Sequence, residues 1–179
     1  MAMLRRFDPD LTQLIVDEET CAEVDALLER LLRDCHAGSA MLLDQAGQII
    51  VWQGTSFGEE RIQLGALIAG VFASTREVAK ILGERNFKTF IQEGTHEKIL
   101  TESIGNQWLI SVIFGPRAHL GLVKLLSGRV AIDLNQVLQR TLERNRLRPK
   151  LKDFGVTIVA NDTIDLLFRD DVEKQRTED

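Results

Sequence analysis

A three-layer α/β/α sandwich on a five-stranded, mostly antiparallel sheet, in the element order α-β-β-α-β-β-β-α, is the fold class this sequence predicts. Three observations predict it. Apolar residues recur at helical spacing in three long stretches, and short apolar runs bounded by turn residues fill the intervals between them. The runs 40–43, 49–52 and 109–114 are largely apolar on both faces, so both faces of the sheet must be covered by helices.

The elements follow in order. Residues 1–19 form a weakly patterned N-terminal segment in which Leu14, Ile15 and Val16 are a candidate short edge strand. A helix is expected from Thr20, where T-C-A-E reads as a capping box: the Thr20 hydroxyl accepts from the Glu23 amide while the Glu23 carboxylate reaches back. Val24, Leu27, Leu28, Leu31 and Leu32 form its buried stripe, and Gly38 is expected to end it. Runs 39–44 and 48–53 flank Asp44-Gln-Ala-Gly47 and read as a hairpin.

The stretch 60–82, ERIQLGALIAGVFASTREVAKIL, is the helix around which the chain is organised. Its larger apolar residues Leu64, Leu67, Ile68, Val71, Val78 and Leu82 are expected on the sheet. Beside them Ala66, Ala69, Gly70 and Ala73, then Arg76, Glu77 and Lys80, form a second face of small side chains ending in charges. No charge occurs from Ile62 to Thr75, so this second face is expected to meet protein as well. Strands at 87–93, 98–104 and 107–114 follow, the last two joined by a Gly105-Asn106 hairpin turn. The first two alternate more with polar residues and belong toward one edge. A third helix, 120–144, carries Leu122, Leu126, Val130, Leu134, Val137, Leu138 and Leu142, although Gly128 inside it costs about 1 kcal/mol against alanine. Residues 145–179 form a basic linker around Pro149 and an acidic tail, with a candidate short helix at 162–174.

Composition narrows the function classes. With 179 residues, 44% hydrophobic and 27% charged, the chain supports one sizeable core. The net charge of −5 is uneven: residues 1–152 hold 19 acids and 19 bases, and residues 153–179 hold 8 acids and 3 bases. A neutral domain with an acidic tail gives no nucleic-acid signal. Uncharged runs such as 62–75 and 103–116 reach 14 residues, short of the roughly 20 of a spanning helix, and the N-terminus lacks the apolar core of a secretory signal. A cytoplasmic protein with no membrane or nucleic-acid partner is expected. Cys21 and Cys35 on one helix would lie roughly 21 Å apart, too far for a disulfide.

Motifs of chemistry are weak. Gly54-Thr-Ser56-Phe-Gly58 matches the nucleophile-elbow spacing, but an antiparallel hairpin precedes it where a largely parallel sheet is needed. Residues 83–89, GERNFKT, place Phe87 where a phosphate loop needs glycine. His36, His96 and His119 are isolated, so no metal site is expected, and nothing points to a cofactor or to catalytic residues. The bases of 140–152 lie at a helix end without aromatic neighbours, which suits solvation.

The order of elements, together with AMLLDQAGQII (40–50), ALIAGVFASTREVAKILGE (66–84), FIQEG (90–94), WLISVIF (108–114) and LGLVKL (120–125), resembles the roadblock family, which includes dynein light chains of the roadblock type. The pattern is most similar to the bacterial MglB-like branch, regulators of a small Ras-like GTPase in gliding motility and cell polarity. The resemblance covers residues 20–144, and no single motif in it is diagnostic. It implies a non-enzymatic homodimer whose sheets join edge to edge and whose central helices lie side by side. It further implies binding of a Ras-like GTPase across the paired helices, accelerating hydrolysis through the GTPase's own loops. Carried onto this chain, the GTPase platform falls on Ala66, Ala69, Ala73, Arg76, Glu77 and Lys80, and the dimer interface on Phe72, Thr89, Phe90 and Ile91. Arg76, mid-helix, is expected to orient the partner rather than act as an arginine finger. The alternative is a roadblock-type scaffold subunit with no effect on nucleotide turnover.

Overall fold

The computed structural model describes residues 17–147 except Ser56 and Glu59. The strand at 14–16, the serine of the elbow-like motif, the linker beyond Leu147 and the helix at 162–174 lie outside the described residues. The chain divides into two units, Met1–Leu142 and Glu143–Asp179; of the second, only the last turn of the third helix is described.

The elements are α1 (Glu18–Cys35), β1 (Ser39–Asp44), β2 (Ile49–Gly54), α2 (Glu60–Ile81), β3 (Thr89–Glu93), β4 (Lys98–Ile104), β5 (Trp108–Phe114) and α3 (Leu120–Leu147). The five strands form one sheet in the order β2-β1-β5-β4-β3, and every pairing is antiparallel. β5, with seven buried residues in succession, is the middle strand, and the largely apolar β1 lies beside it.

Two cores lie on opposite faces of the sheet. Val24, Leu28 and Leu31 of α1 and Val123, Val130, Leu134 and Leu138 of α3 pack on Leu42, Leu100, Ile110 and Val112. Ile68, Ala69 and Phe72 of α2 pack on Met41, Leu43, Leu109 and Ile113. Alternate residues of each strand thus enter different cores, the period-two consequence of the pleat.

Several expectations need correction. α1 starts before Thr20: Asp17 is its N-cap, and its carboxylate accepts from the Thr20 amide (3.0 Å) and hydroxyl (2.6 Å). Thr20 is fully buried, with its hydroxyl 2.9 Å from that of Thr141 on α3, so it cannot serve as the cap. Glu23 does not reach back; it accepts from Arg140 at 2.8 Å. The helix ends at His36, φ 56°, two residues before Gly38. β2 is apolar at four successive positions without being central. A bulge between its pairings with Leu42 and Leu43 explains this, setting Ile50 and Val51 toward α1 and Ile49 and Trp52 toward α2. α3 runs unbroken through Gly128, where an added Cβ would lie 3.6 Å from Glu102 Oε1. α2 closes as a Schellman motif: the Glu84 amide donates to Ala79 (2.8 Å) and the Gly83 amide, φ 73°, to Lys80 (3.2 Å).

Glu102 is a half-buried carboxylate whose pKa the fold shifts. Burial against α3 pushes its pKa up, partly offset by Lys124 and Lys88, and its Oε2 is buried without a hydrogen-bond partner among the described residues. Because the folded-state value is raised, the penalty is absent below the unfolded carboxylate range, grows as pH rises from the unfolded value to the folded one and is complete above the latter. Glu102→Gln is therefore expected to raise the melting temperature at pH 7 and to lose that advantage at pH about 4, where the wild-type carboxyl is itself protonated. Melting curves at the two pH values check this.

Candidate functional site

No group of three or more His, Cys, Asp or Glu side chains suited to a metal ion occurs among the described residues. Burial pushes the Cys35 thiol up, and burial followed by Asp25, Asp17 and Glu18 does the same for Cys21, so neither is an activated nucleophile. What stands out is α2 and the sheet edge beside it in sequence.

α2 meets the sheet through Gly65, Ile68, Ala69, Phe72, Thr75 and Ala79. Ala69 is 4% exposed and Phe72 5%, both inside the α2-side core, so the sequence-based assignments of Ala69 to a partner platform and of Phe72 to a dimer interface are corrected. Conversely Leu67, Val78 and Leu82, expected on the sheet, are exposed. The cause is a close approach near the start of the helix. A Cβ on Gly65 would come within 2.6 Å of the Gly47 carbonyl, and one on Gly47 within 2.5 Å of the Ala66 Cα. A helix that touches the β1–β2 turn backbone to backbone turns Gly65, Ala69 and Ala79 inward, which leaves several large side chains outside.

Arg76 also points inward. Its Nη1 donates to Gln45 Oε1 at 2.7 Å, and Gln45 Nε2 donates to the Asn106 carbonyl, tying α2 to the β1–β2 and β4–β5 turns. The neighbouring ion pair is Lys80 with Glu77, 2.7 Å, without Arg76. Arg76 is a strut of the fold in this arrangement.

The rest of α2 offers two flanks at 100° per residue. One carries Ala66, Gly70, Ala73, Glu77 and Lys80, so four of the six residues expected in the platform do lie together; Ala73 is half-buried and the others are exposed. The other flank carries Leu64, Leu67, Val71, Ser74, Val78 and Ile81 at alternating intervals of three and four, the spacing of a helix-to-helix seam. Leu67 is 67% exposed and Ile81 85%, and the stripe holds no charge. This seam was legible as strict 3-4 alternation, but it is hidden when Leu67 and Val78 are assigned to the sheet; half-buried Leu64, at its start, does pack on the α2-side core as expected.

β3 is the edge strand that directly follows α2 in the chain. The Ser103 amide donates to the Lys88 carbonyl (2.9 Å), which with the register Thr89↔Glu102 directs the N–H and C=O groups of Thr89, Ile91 and Glu93 away from β4. The strand is short, regular and half-buried at Thr89, Phe90 and Ile91. The opposite edge, β2, carries the bulge, a feature that discourages further pairing.

Comparison with known proteins bears on what these surfaces do. A family model described as the Roadblock/LC7 domain matches residues 23–114. Among solved structures, the chain is similar to MglB of Myxococcus xanthus, at 29% identity and TM-score 0.65, covering 70% of this chain and 93% of that one. It is similar to the gliding protein MglB of Thermus thermophilus, at 26% identity and TM-score 0.67, covering 72% and 97%. A structure described as MglB with tetrameric arrangement matches at 26% identity and TM-score 0.69, over the same shares of the two chains.

Proposed function

The chain belongs to the Roadblock/LC7 domain family, and from that premise we propose that it is an MglB-like homodimer regulating a small Ras-like GTPase through α2. The observation that carries the reading is the two-flanked free surface of α2. A protein with no second use for this helix would place charge over water; here an uncharged seam and a small-residue flank lie side by side on it. The seam from Leu64 to Ile81 packs against the same helix of a twin subunit, and β3 of each subunit adds the other's free N–H and C=O groups to a continuous sheet. The flank of Ala66, Gly70 and Ala73 admits the GTPase closely, with Glu77 and Lys80 setting orientation.

The reading is supported by three MglB structures at 26–29% identity, one of them described as having a tetrameric arrangement. The chain acts on the GTPase's own catalytic loops and supplies no catalytic residue, consistent with the inward guanidinium of Arg76. An arginine finger would have to reach the partner's γ-phosphate from an exposed position.

Ala73→Glu tests the platform. The substitution places a carboxylate in the centre of a close-packed contact, where it is left unpaired, so GTPase binding should weaken by about 3–5 kcal/mol. The dimer should persist, because Ala73 is off the seam. Titration calorimetry with the GTPase, beside light scattering of the variant alone, measures both; a variant that binds normally would place the partner elsewhere. Ala69→Glu cannot serve the same purpose, since it puts charge into the core.

A further inference from the structure

The two halves of α2 are held to the sheet by different means. The first half is packed: Leu64, Ile68, Ala69 and Phe72 join the core on this face, and Gly65 meets Gly47 backbone to backbone. Among the described residues, that core takes nothing from α2 beyond Phe72. In the second half the Thr75 hydroxyl donates to the Phe72 carbonyl of its own helix (2.7 Å), and Ala79, although fully buried, stands outside the cluster.

A polar contact ties the second half instead. The Arg76 guanidinium donates to Gln45 Oε1 at 2.7 Å, and Gln45 Nε2 donates to the Asn106 carbonyl. The turn that carries Gln45 is fixed in its own right, because the Asp44 carboxylate accepts from the Ala46 (2.9 Å) and Gln48 (2.8 Å) amides. Gly65 and Arg76 lie roughly 16 Å apart along the axis of α2, and both meet this β1–β2 turn. One attachment fixes where a helix lies, and a second fixes its direction.

The apolar pattern does not supply that direction. Val78, Ile81 and Leu82 are exposed while Thr75 and Ala79 are buried, so burial of apolar area does not by itself choose this arrangement. A hydrogen-bonded pair, unlike an apolar contact, is satisfied in a narrow range of geometry. We propose that Arg76, acting through Gln45, is a positioning residue that fixes the second half of α2, and with it Ala73, Glu77 and Lys80 of the GTPase flank. The consequence for the GTPase rests on the function proposed above. The pair supplies a unique position more than it supplies stability, since replacing both partners of a hydrogen bond by apolar groups of similar shape is nearly neutral.

The double substitution Arg76→Met with Gln45→Met tests this. Its melting temperature should stay within a few degrees of wild type. Amide hydrogen exchange of the chain alone, followed by mass spectrometry, should accelerate about tenfold or more over residues 73–81 and not over residues 62–72, the change expected when one charge-assisted hydrogen bond no longer opposes local opening. GTPase binding should weaken about tenfold, because the partner must then order this half itself. Arg76→Lys, which keeps a cationic donor for Gln45, should bind within about threefold of wild type. Unchanged exchange, or acceleration shared by both halves together with a lower melting temperature, would make Arg76 an ordinary stabilising contact and overturn the proposal. Acceleration confined to 73–81 with unaltered GTPase binding would overturn its bearing on the partner. A wild-type chain that binds no Ras-like GTPase would defeat the proposed function, while exchange in the chain alone would still decide whether Arg76 positions the helix.

Discussion

Leu67→Glu should convert the proposed dimer into a folded monomer. Leu67 is 67% exposed on the isolated subunit, so the substitution costs the fold little, but in a paired seam its carboxylate would be desolvated opposite the apolar side chains of the twin helix. An unpaired buried charge costs about 3–5 kcal/mol, which corresponds to roughly two to four orders of magnitude in the dimer dissociation constant. Light scattering at micromolar concentration should give a dimer for the wild type and a monomer for the variant, with unchanged melting of secondary structure at high dilution. Thr89→Pro should weaken the dimer as well, because it removes an N–H that points outward from β3 and none that serves β4. A wild-type chain that is monomeric under these conditions would remove the basis for the seam.

Gly47→Ala should be strongly destabilising for a change of one methyl group. Gly47 has φ 88°, where a side chain costs about 1–2 kcal/mol, and its Cβ would stand 2.5 Å from the Ala66 Cα and 2.9 Å from the Gly65 carbonyl. These are backbone atoms that cannot swing aside, so α2 must lift off the turn, adding about 1–3 kcal/mol of overpacking. The expected loss of about 2–5 kcal/mol would be read from urea unfolding. GTPase binding should fall with it, because the same contact sets the position of α2. By contrast Gly70→Ala, with nothing within 4 Å of the added carbon, should leave stability unchanged or slightly improved. A stable Gly47→Ala variant would mean that the helix does not depend on this contact.

The sequence was informative where periodicity reports burial directly. The order of elements and the strand positions could be read from apolar runs and turn residues, and the covering of both sheet faces from runs that lack alternation, whereas the edge place of β2, whose run is just as apolar, could not. The cap of α1 was harder to read: Asp17 and Thr20 both suit an N-cap, and the choice between them rests on a long-range contact, Thr20 with Thr141, that no local pattern contains. α2 misled for a related reason. Its inward side is chosen by the Gly47–Gly65 approach, and a helix apolar all round gives no amphipathic signal to reveal that choice. Arg76 was placed on the correct helix but given an outward role, because Gln45, its partner, is 31 residues away in sequence.

The central claim is that this surface changes what a GTPase does. It is tested most directly by single-turnover GTP hydrolysis by a Ras-like GTPase from the same genome, with and without saturating wild-type chain. The account predicts a rate that rises at least tenfold with the chain, falls back to the intrinsic rate with Ala73→Glu, and is restored by raising the Ala73→Glu concentration only in proportion to its weakened binding. A GTPase that binds the wild-type chain tightly through α2 yet hydrolyses GTP at its intrinsic rate would contradict it, and would make the chain a scaffold.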